Sequence, residues 1–385
     1  MVCELDKIAF PDNKLTFQEL LTIGQVSDFH FTVGSAPSIS YPGRGLVPLP
    51  KSLAKGPSTA TGDRPSFLHR QTKVDPLSEE FVEQIVRGIC SDKEYEVLLN
   101  NKGLDLAREL YGCRFRVSIR SAYMGFAVTM RKLPSKIMSI SDIGFPTSVY
   151  GLIATESSGL ILVTGSTSSG KSTTLTSIVD GIIKERAIKR SGSAKLITLE
   201  DPIEALFRSY GSTQVVQRQV GLHVASFEQG VKDSLRDKPD IIYVGELRDK
   251  ETIRAALTAA STGHLVLSTY HGESVPNALQ GICSRFSEGE QLAVRHDLAT
   301  YLRFISYQKI LPREGSNGVA LAMEYLFSSH GSRNQIQKGN FGQLYNSMLG
   351  GSGLPFDKAL IGLKTQKAIS EEVYRTEMRL LQAIK

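Results

Sequence analysis

The sequence predicts an α+β domain followed by an α/β domain with a parallel β-sheet. The chain has 385 residues, which is too long for one small hydrophobic core. Before about residue 133, helical spacing is followed by alternating β-like runs. After residue 150, short apolar runs alternate with helical segments, as in parallel βαβ units. We therefore predict an N-terminal domain over 1–135, a linker over 136–150 and a second domain over 151–385.

The N-terminal domain is predicted from helical and strand periodicities. A short helical segment precedes the run Ser27–Val33, in which phenylalanine and valine alternate with polar residues, as in a half-buried strand. Helical spacing extends from Leu77 to Leu99, with Ser78 as the N-cap. Two β-like runs follow, over Arg114–Arg120 and Gly125–Arg131.

Residues 41–73 differ from the rest of the domain in composition. They contain five prolines and four glycines and have no sustained periodicity, which predicts a surface loop or an insertion. Six basic residues against one acid, Asp63, give the segment a net charge of +5; because the whole chain carries +6, the remainder carries only +1. The segment is either a basic arm for an anionic partner or a solvated loop. The near-neutral remainder argues against a nucleic-acid-binding protein.

The second domain is predicted to contain a parallel sheet followed by a helical region. The predicted strands are Gly159–Thr164, Lys195–Leu199, Ile241–Val244 and His264–Thr269. Helices are predicted between them, including Phe227–Leu235 and Glu251–Ser261. From about residue 290 the pattern becomes helical and then mixed, and it ends in a capped helix, Ser370–Lys385.

A phosphate-binding loop follows the first of these strands. The residues from Gly165 to Ser172 fit G-x-x-x-x-G-K-[ST] at every fixed position, between an apolar strand and a helix start. Backbone N–H groups and the helix N-terminus favour a polyphosphate there. Lys171 is expected to reach the β- and γ-phosphates, and the Ser172 hydroxyl to bind Mg²⁺. The predicted nucleotide-binding residues are Gly165, Ser166, Thr167, Ser168, Ser169, Gly170, Lys171, Ser172 and Thr173.

Acidic residues follow two further strands. Because the carboxyl ends of parallel strands converge on the ligand, we expect Glu200 and Glu246 to lie near the loop. Carboxylates beside a magnesium–triphosphate can hold metal-bound waters or orient the attacking water. Gly245 stands where such a strand often ends in an aspartate, so Glu246 is the candidate general base. The alternative for Glu200 is an acid in an ordinary polar loop.

Two histidines flank the last predicted strand. His271, at its carboxyl end, is a candidate for contacting the γ-phosphate, although a lone histidine is more often structural. His264, at the other end, has no stronger claim to a functional than to a structural role.

Arginines of the N-terminal domain are candidates for stabilising phosphoryl charge. Arg114, Arg116 and Arg120 share one face of an alternating strand, and Arg131 follows on the next β-like run. Such a row can act as arginine fingers, or it can be a solvated basic strand.

The order and spacing of these motifs resemble the PilT/GspE-type secretion ATPase family. The resemblance rests on GSTSSGKST (165–173), LEDPIE (199–204), PDIIYVGELRDKET (239–252), TGHLVLSTYH (262–271) and QKILPREGSNGVALAMEYL (308–326), together with SDFHF (27–31) and CRFRVSIR (113–120). It covers nearly the whole chain outside 41–73. In length, and in lacking a four-cysteine zinc insert, the chain resembles the shorter members that serve type IVB secretion and plasmid conjugation.

The resemblance implies a homohexameric ring of chains, each with a PAS-like N-terminal domain and a RecA-like P-loop ATPase domain. ATP and Mg²⁺ are the implied cofactors. Glu200 and Glu246 are implied to position and activate water, directly or through Mg²⁺-bound water. The implied histidine box contains His271 and, as the weaker candidate, His264. The implied arginine fingers are Arg114, Arg116 and Arg131. The sequence departs from the family at Tyr270-His271-Gly272, where the family often has L-H-T, and at the insertion 41–73.

We therefore expect a cytoplasmic ATP-hydrolysing motor, held at the inner membrane by a membrane-embedded type IV secretion or conjugation complex. The sequence shows no secretory signal and no apolar run of about 18 residues, so no direct membrane insertion is expected. The alternative with the same fold is a type IV pilus retraction ATPase. A motor that grips nucleic acid directly is a third interpretation, and a scaffold that binds nucleotide without hydrolysing it is a fourth.

Overall fold

A computed structural model of the protein describes residue 5 and residues 16–22, 26–40, 46–49, 75–134, 136–189, 194–316 and 318–384. The chain divides into two compact units. The first comprises residues 1–135 together with Asp201–Ala205, and the second comprises Lys136–Glu200 and Leu206–Lys385. No helix among these described residues is long and apolar enough to cross a membrane.

The first unit is a mixed α+β unit built on an antiparallel sheet. Its helices are α1 (Phe17–Leu21), α2 (Glu79–Ile89) and α3 (Asp92–Asn101). Its strands are β1 (Asp28–Thr32), β2 (Ser38–Ser40), β3 (Val47–Pro48), β4 (Gly103–Leu110), β5 (Cys113–Ala122) and β6 (Gly125–Leu133), in the sheet order β3–β2–β1–β6–β5–β4.

Local sequence explains several of these elements. Ser78 caps α2 by accepting the Phe81 N–H, as its position predicts. Phe29 and Phe31 of β1 are buried, because alternate residues of the strand face the core. The predicted helix 77–99 is two helices, since the chain turns at Cys90–Ser91, where Ser91 and Glu94 form a capping box.

The second unit is an α/β unit. Its helices before residue 302 are α4 (Thr147–Thr155), α5 (Lys171–Lys189), α6 (Phe227–Ser234), α7 (Lys250–Ser261), α8 (Val275–Ser284) and α9 (Glu288–Tyr301). Those after it are α10 (His330–Lys338), α11 (Leu344–Ser347), α12 (Phe356–Thr365) and α13 (Glu371–Ile384). Short 3-10 and π turns lie at Leu235–Asp237, Phe341–Gln343 and Met348–Ser352.

The strands of the second unit form one largely parallel sheet. They are β7 (Gly159–Thr164), β8 (Lys195–Glu200), β9 (Gln214–Gln219), β10 (Ile241–Val244), β11 (Leu265–Tyr270), β12 (Leu302–Pro312), β13 (Val319–Phe327) and β14 (Gly353–Leu354). The sheet order is β14–β13–β12–β7–β11–β10–β8–β9. Each pair of neighbouring strands in the part β12–β7–β11–β10–β8–β9 is parallel. At the other edge, β13 pairs antiparallel with β12, and β14 pairs antiparallel with β13. Buried apolar residues cover both faces, as a parallel sheet requires.

The structure adds detail to three of the predicted segments. From about residue 290, where the predicted pattern is helical and then mixed, helix α9 is followed by the hairpin β12–β13 over residues 302–327, which extends the sheet beyond the predicted strands. The segment 136–150 packs with the second unit, where Phe145 is buried in the core. Most of the insertion 41–73 lies outside the described residues, but Val47–Pro48 forms an edge strand on β2.

Candidate functional site

The nucleotide loop connects the carboxyl end of β7 to the first turn of α5. Gly165 and Gly170 have φ angles of 154° and 81°, in the range that favours glycine. A Cβ at Gly165 would lie 2.6 Å from the Gln308 carbonyl oxygen, so this position also requires the absence of a side chain. The helix after the loop buries Leu175, Ile178 and Val179, as its spacing predicts.

The loop has the shape and the groups that a polyphosphate requires. Lys171 donates hydrogen bonds to the carbonyls of Gly165 at 3.0 Å and Ser166 at 2.8 Å, so its ammonium group closes over the loop. Burial lowers the pKa of Lys171, and the carboxylate of Glu246 opposes that shift. Ser172, the next residue, is exposed and available to a metal. The donor set therefore fits a magnesium–nucleotide: Lys171 would hold phosphate oxygens, and Ser172 the metal.

The segment after β10 is fixed between the ends of two neighbouring strands. Gly245 donates its N–H to the Leu199 carbonyl at 2.8 Å, and its own carbonyl accepts the Thr269 hydroxyl at 2.6 Å. A Cβ at Gly245 would lie 3.3 Å from the Leu199 carbonyl, so the space for a side chain there is tight. This crowding is a physical reason for glycine where an aspartate often stands. The next residue, Glu246, is the carboxylate that the strand end presents.

Glu246 and His271 are in direct contact. The His271 Nε2 lies 2.9 Å from Glu246 Oε1, and Arg248 donates its Nε–H to Glu246 Oε2 at 2.9 Å. The Glu246 side chain is 20% exposed, against 53% for His271. The Glu246 carboxylate, held by these two bonds, also acts electrostatically on the Lys171 ammonium, whose pKa it raises against the effect of burial.

Glu200 ends β8 as predicted, but its carboxylate is buried. Its Oε1 accepts the Thr198 hydroxyl at 2.7 Å and the Gln217 side-chain N–H at 3.0 Å. These two bonds fix the orientation of the carboxylate. Its role toward water stays a prediction.

His264 lies at the opposite end of the strand that leads to His271. It precedes β11, and its Nδ1 lies 3.2 Å from the Ala259 carbonyl and 3.1 Å from the Thr262 hydroxyl. A strand of six residues spans about 20 Å, so the structure does not bring His264 to the loop edge.

The candidate arginine fingers belong to the first unit, and each has a partner there. Arg114 donates to the carbonyls of Ile203 and Glu204 at 2.8 and 2.9 Å, and Arg116 pairs with the Glu204 carboxylate at 2.7 Å. Arg131 pairs with Asp28 at 2.7 Å. Their action on phosphate stays a prediction.

Two side chains of the loop edge were not identified from the sequence. Arg248 follows Glu246 in the motif PDIIYVGELRDKET, and its bond to Glu246 is a contact between residues two apart. Gln308 lies within the stretch 308–326 and donates to the Ser169 carbonyl at 2.7 Å. For Gln308, the signal available in the sequence was a polar residue that interrupts a buried strand.

The glycine-rich loop thus connects a buried strand to a helix on a largely parallel sheet, and Glu246 follows another strand of the same sheet, which is the arrangement expected of a nucleotide-binding protein. Residues 104–328 match the family of Type II/IV secretion system proteins, and the chain belongs to this family.

Particular relatives agree with this assignment. The chain is 40% identical over 270 residues to the uncharacterized protein YggR of Escherichia coli strain K12, covering 70% of this chain and 80% of that protein. A crystal structure of the pilus retraction motor PilT with bound ADP superposes with a TM-score of 0.77 at 31% identity, covering 94% of this chain and 96% of that one. The ATPase DotB of Legionella pneumophila gives a TM-score of 0.75 at 27% identity, covering 92% of both chains. The second unit therefore has a PilT-like ATPase fold, and the resemblance to DotB is confirmed.

Proposed function

We propose that this protein is an ATP-hydrolysing motor for a type IV secretion or conjugative transfer apparatus. Membership in the family of secretion and pilus ATPases implies nucleotide binding and hydrolysis. The observation that carries the proposal is the contact between Glu246 and His271, and the electrostatic influence of Glu246 on the Lys171 ammonium supports it.

The chemistry consists of positioning and electrostatics. Lys171 stabilises the charge of the phosphates. Glu246 orients the attacking water and accepts its proton, because each carboxylate oxygen can accept more than one hydrogen bond. His271 and Arg248 hold the two oxygens of Glu246 at 2.9 Å and so fix the direction of that carboxylate. Mg²⁺, when bound, neutralises charge on the β- and γ-phosphate oxygens.

Hydrolysis is tested on the full chain with Glu246→Gln. The amide cannot accept the proton of water, so we expect kcat to fall by about 10²- to 10⁴-fold while ADP affinity is retained. Glu251→Gln, at an exposed position in the first turn of α7, is the matched control and is expected to hydrolyse ATP like the wild type. A wild-type rate no higher than that of Glu246→Gln, at any protein concentration, would contradict the enzyme proposal.

The proposal also concerns which apparatus the motor drives. The resemblance in length and in the absent zinc insert to the shorter members, DotB and the conjugation ATPase TraJ, supports secretion or conjugation. The slightly higher identity and TM-score of the retraction motor PilT favour the second candidate, pilus retraction. In either role we propose a homohexamer that acts at the inner membrane through protein partners. Crosslinking Glu246→Gln in cells distinguishes the two: a secretion or conjugation component supports the first role, and a pilus platform protein overturns it.

A further inference from the structure

Strand β12 runs beside the nucleotide loop. It pairs in parallel with β7, with Ser306 opposite Val163 and Tyr307 opposite Thr164. The next residue along β12, Gln308, therefore lies beside Gly165, the first residue of the loop.

The side chain of Gln308 is fully buried and reaches the loop itself. Its Nε2–H donates to the carbonyl oxygen of Ser169 at 2.7 Å. Its Oε1 has no hydrogen-bond partner, although it is buried. Burying an amide with one group unsatisfied costs free energy, and the hydrogen bond from Nε2–H to the Ser169 carbonyl offsets part of that cost.

The bond to Ser169 fixes a peptide unit. The Ser169 carbonyl and the Gly170 N–H belong to the same trans peptide and point in opposite directions. When Gln308 holds the carbonyl on the side of β12, the Gly170 N–H is directed to the other side of the loop backbone. Backbone N–H groups are what such a loop offers to phosphate oxygens.

The side chains of the two residues of β12 nearest to Gln308 on the same face, both within the described part of the chain, form no hydrogen bond to the loop. Ile310 follows two residues later on the same face of the strand. A Cβ added to Gly170 would lie only 2.9 Å from its Cδ1, so Ile310 packs closely against the loop. Ser306, two residues earlier, is also buried, and its hydroxyl has no hydrogen-bond partner. Gln308 is thus the member of this row for which the structure records a hydrogen bond to the loop.

We propose that Gln308 is a positioning residue for nucleotide binding: by holding the Ser169 carbonyl it directs the Gly170 N–H toward the phosphates and raises affinity for the nucleotide. This inference rests on the proposed function, since it presumes that the loop binds nucleotide.

The test compares Gln308→Met with Ser306→Ala in the full chain. Methionine matches glutamine in length but cannot donate, so we expect the Kd for magnesium–ADP to rise about five- to tenfold, the effect of one lost hydrogen bond. Ser306→Ala removes a polar group from the same buried strand face and is expected to keep Kd within about twofold of the wild type. Thermal unfolding without nucleotide is measured for each variant, because a purely structural role would lower the melting temperature and leave Kd unchanged.

A second variant guards against misfolding of the first. Gln308→Asn keeps an amide but withdraws it by one methylene, so it is expected to weaken ADP binding similarly. A folded Met or Asn variant with wild-type Kd overturns the role of Gln308 and leaves the proposed function intact. A wild-type chain that does not bind ADP overturns the proposed function and this inference together.

Discussion

Glu324 of β13 provides a quantitative test of how the second unit holds its helices. Its side chain is buried, with 6% exposure. One carboxylate oxygen accepts the N–H of Val275 at 2.6 Å, and the other accepts the N–H of Phe356 at 3.4 Å. These are the first residues of α8 and α12, whose N–H groups have no acceptor within their own helices.

The size of the effect follows from these two bonds. Glu324→Ala leaves both N–H groups without their carboxylate acceptor, and each buried unsatisfied donor costs about 1–3 kcal/mol. We therefore expect the free energy of unfolding of the second unit to fall by about 4 kcal/mol. Glu324→Gln keeps one accepting oxygen and should lose about half as much.

The assay is urea denaturation of the full chain, combined with amide hydrogen exchange. A loss of about 4 kcal/mol with a slope of about 3 kcal/mol/M lowers the urea midpoint by more than 1 M. Exchange should accelerate in the peptides that contain Val275 and Phe356. Glu314→Ala, an exposed glutamate in the same hairpin, is the control and should leave the midpoint unchanged. Unchanged midpoint and exchange in Glu324→Ala would refute the capping role.

Two further predictions concern a site residue and an acid-sensitive pair. Lys171→Met should raise the Kd for ADP about 10- to 100-fold, because the hydrogen bond from the ammonium group to phosphate is lost. Isothermal titration calorimetry measures this Kd. A variant with wild-type affinity would contradict the role assigned to Lys171. Burial raises the pKa of Glu94, but bonds from Ser91 and Arg108 outweigh it, so the net pKa is lowered. Its stabilisation is present above the unfolded-state pKa of about 4.3 and is lost as pH falls through the folded-state value. Glu94→Gln should flatten the fall of the urea midpoint in acid, and an unchanged pH profile would exclude that contribution.

The sequence predicted the strand–loop–helix unit because its signals are local. Apolar strands such as Ile241–Val244 and the glycine-rich loop carry their information in adjacent residues, and the structure reproduces both. The contact between Glu246 and His271 was not predictable as a contact, because it depends on the register of β10 against β11. Both acids are predicted near the loop from the sequence, but the burial of the Glu200 carboxylate against Gln217 depends on the pairing of β8 with β9.

The strand β12 was missed for a different reason. Its inward positions include Ser306 and Gln308, which are polar yet fully buried, so the alternation that marks a strand is interrupted. The segment 136–150 likewise has little periodicity, and its packing is seen only in the buried side chains of Phe145 and Val149. Tertiary context decides such segments, and a single sequence does not contain it.

The alternation of β12 has a practical consequence for handling this protein. Gln308 points to the nucleotide loop, whereas the adjacent Lys309 points to the other face and bonds both oxygens of Glu377 in α13, at 2.7 and 2.8 Å. A truncation that removes α13 also removes the carboxylate that holds Lys309, the residue next to the loop's hydrogen-bond donor Gln308. Nucleotide affinities measured on chains without α13 will therefore combine the loss of the helix with any shift of Gln308.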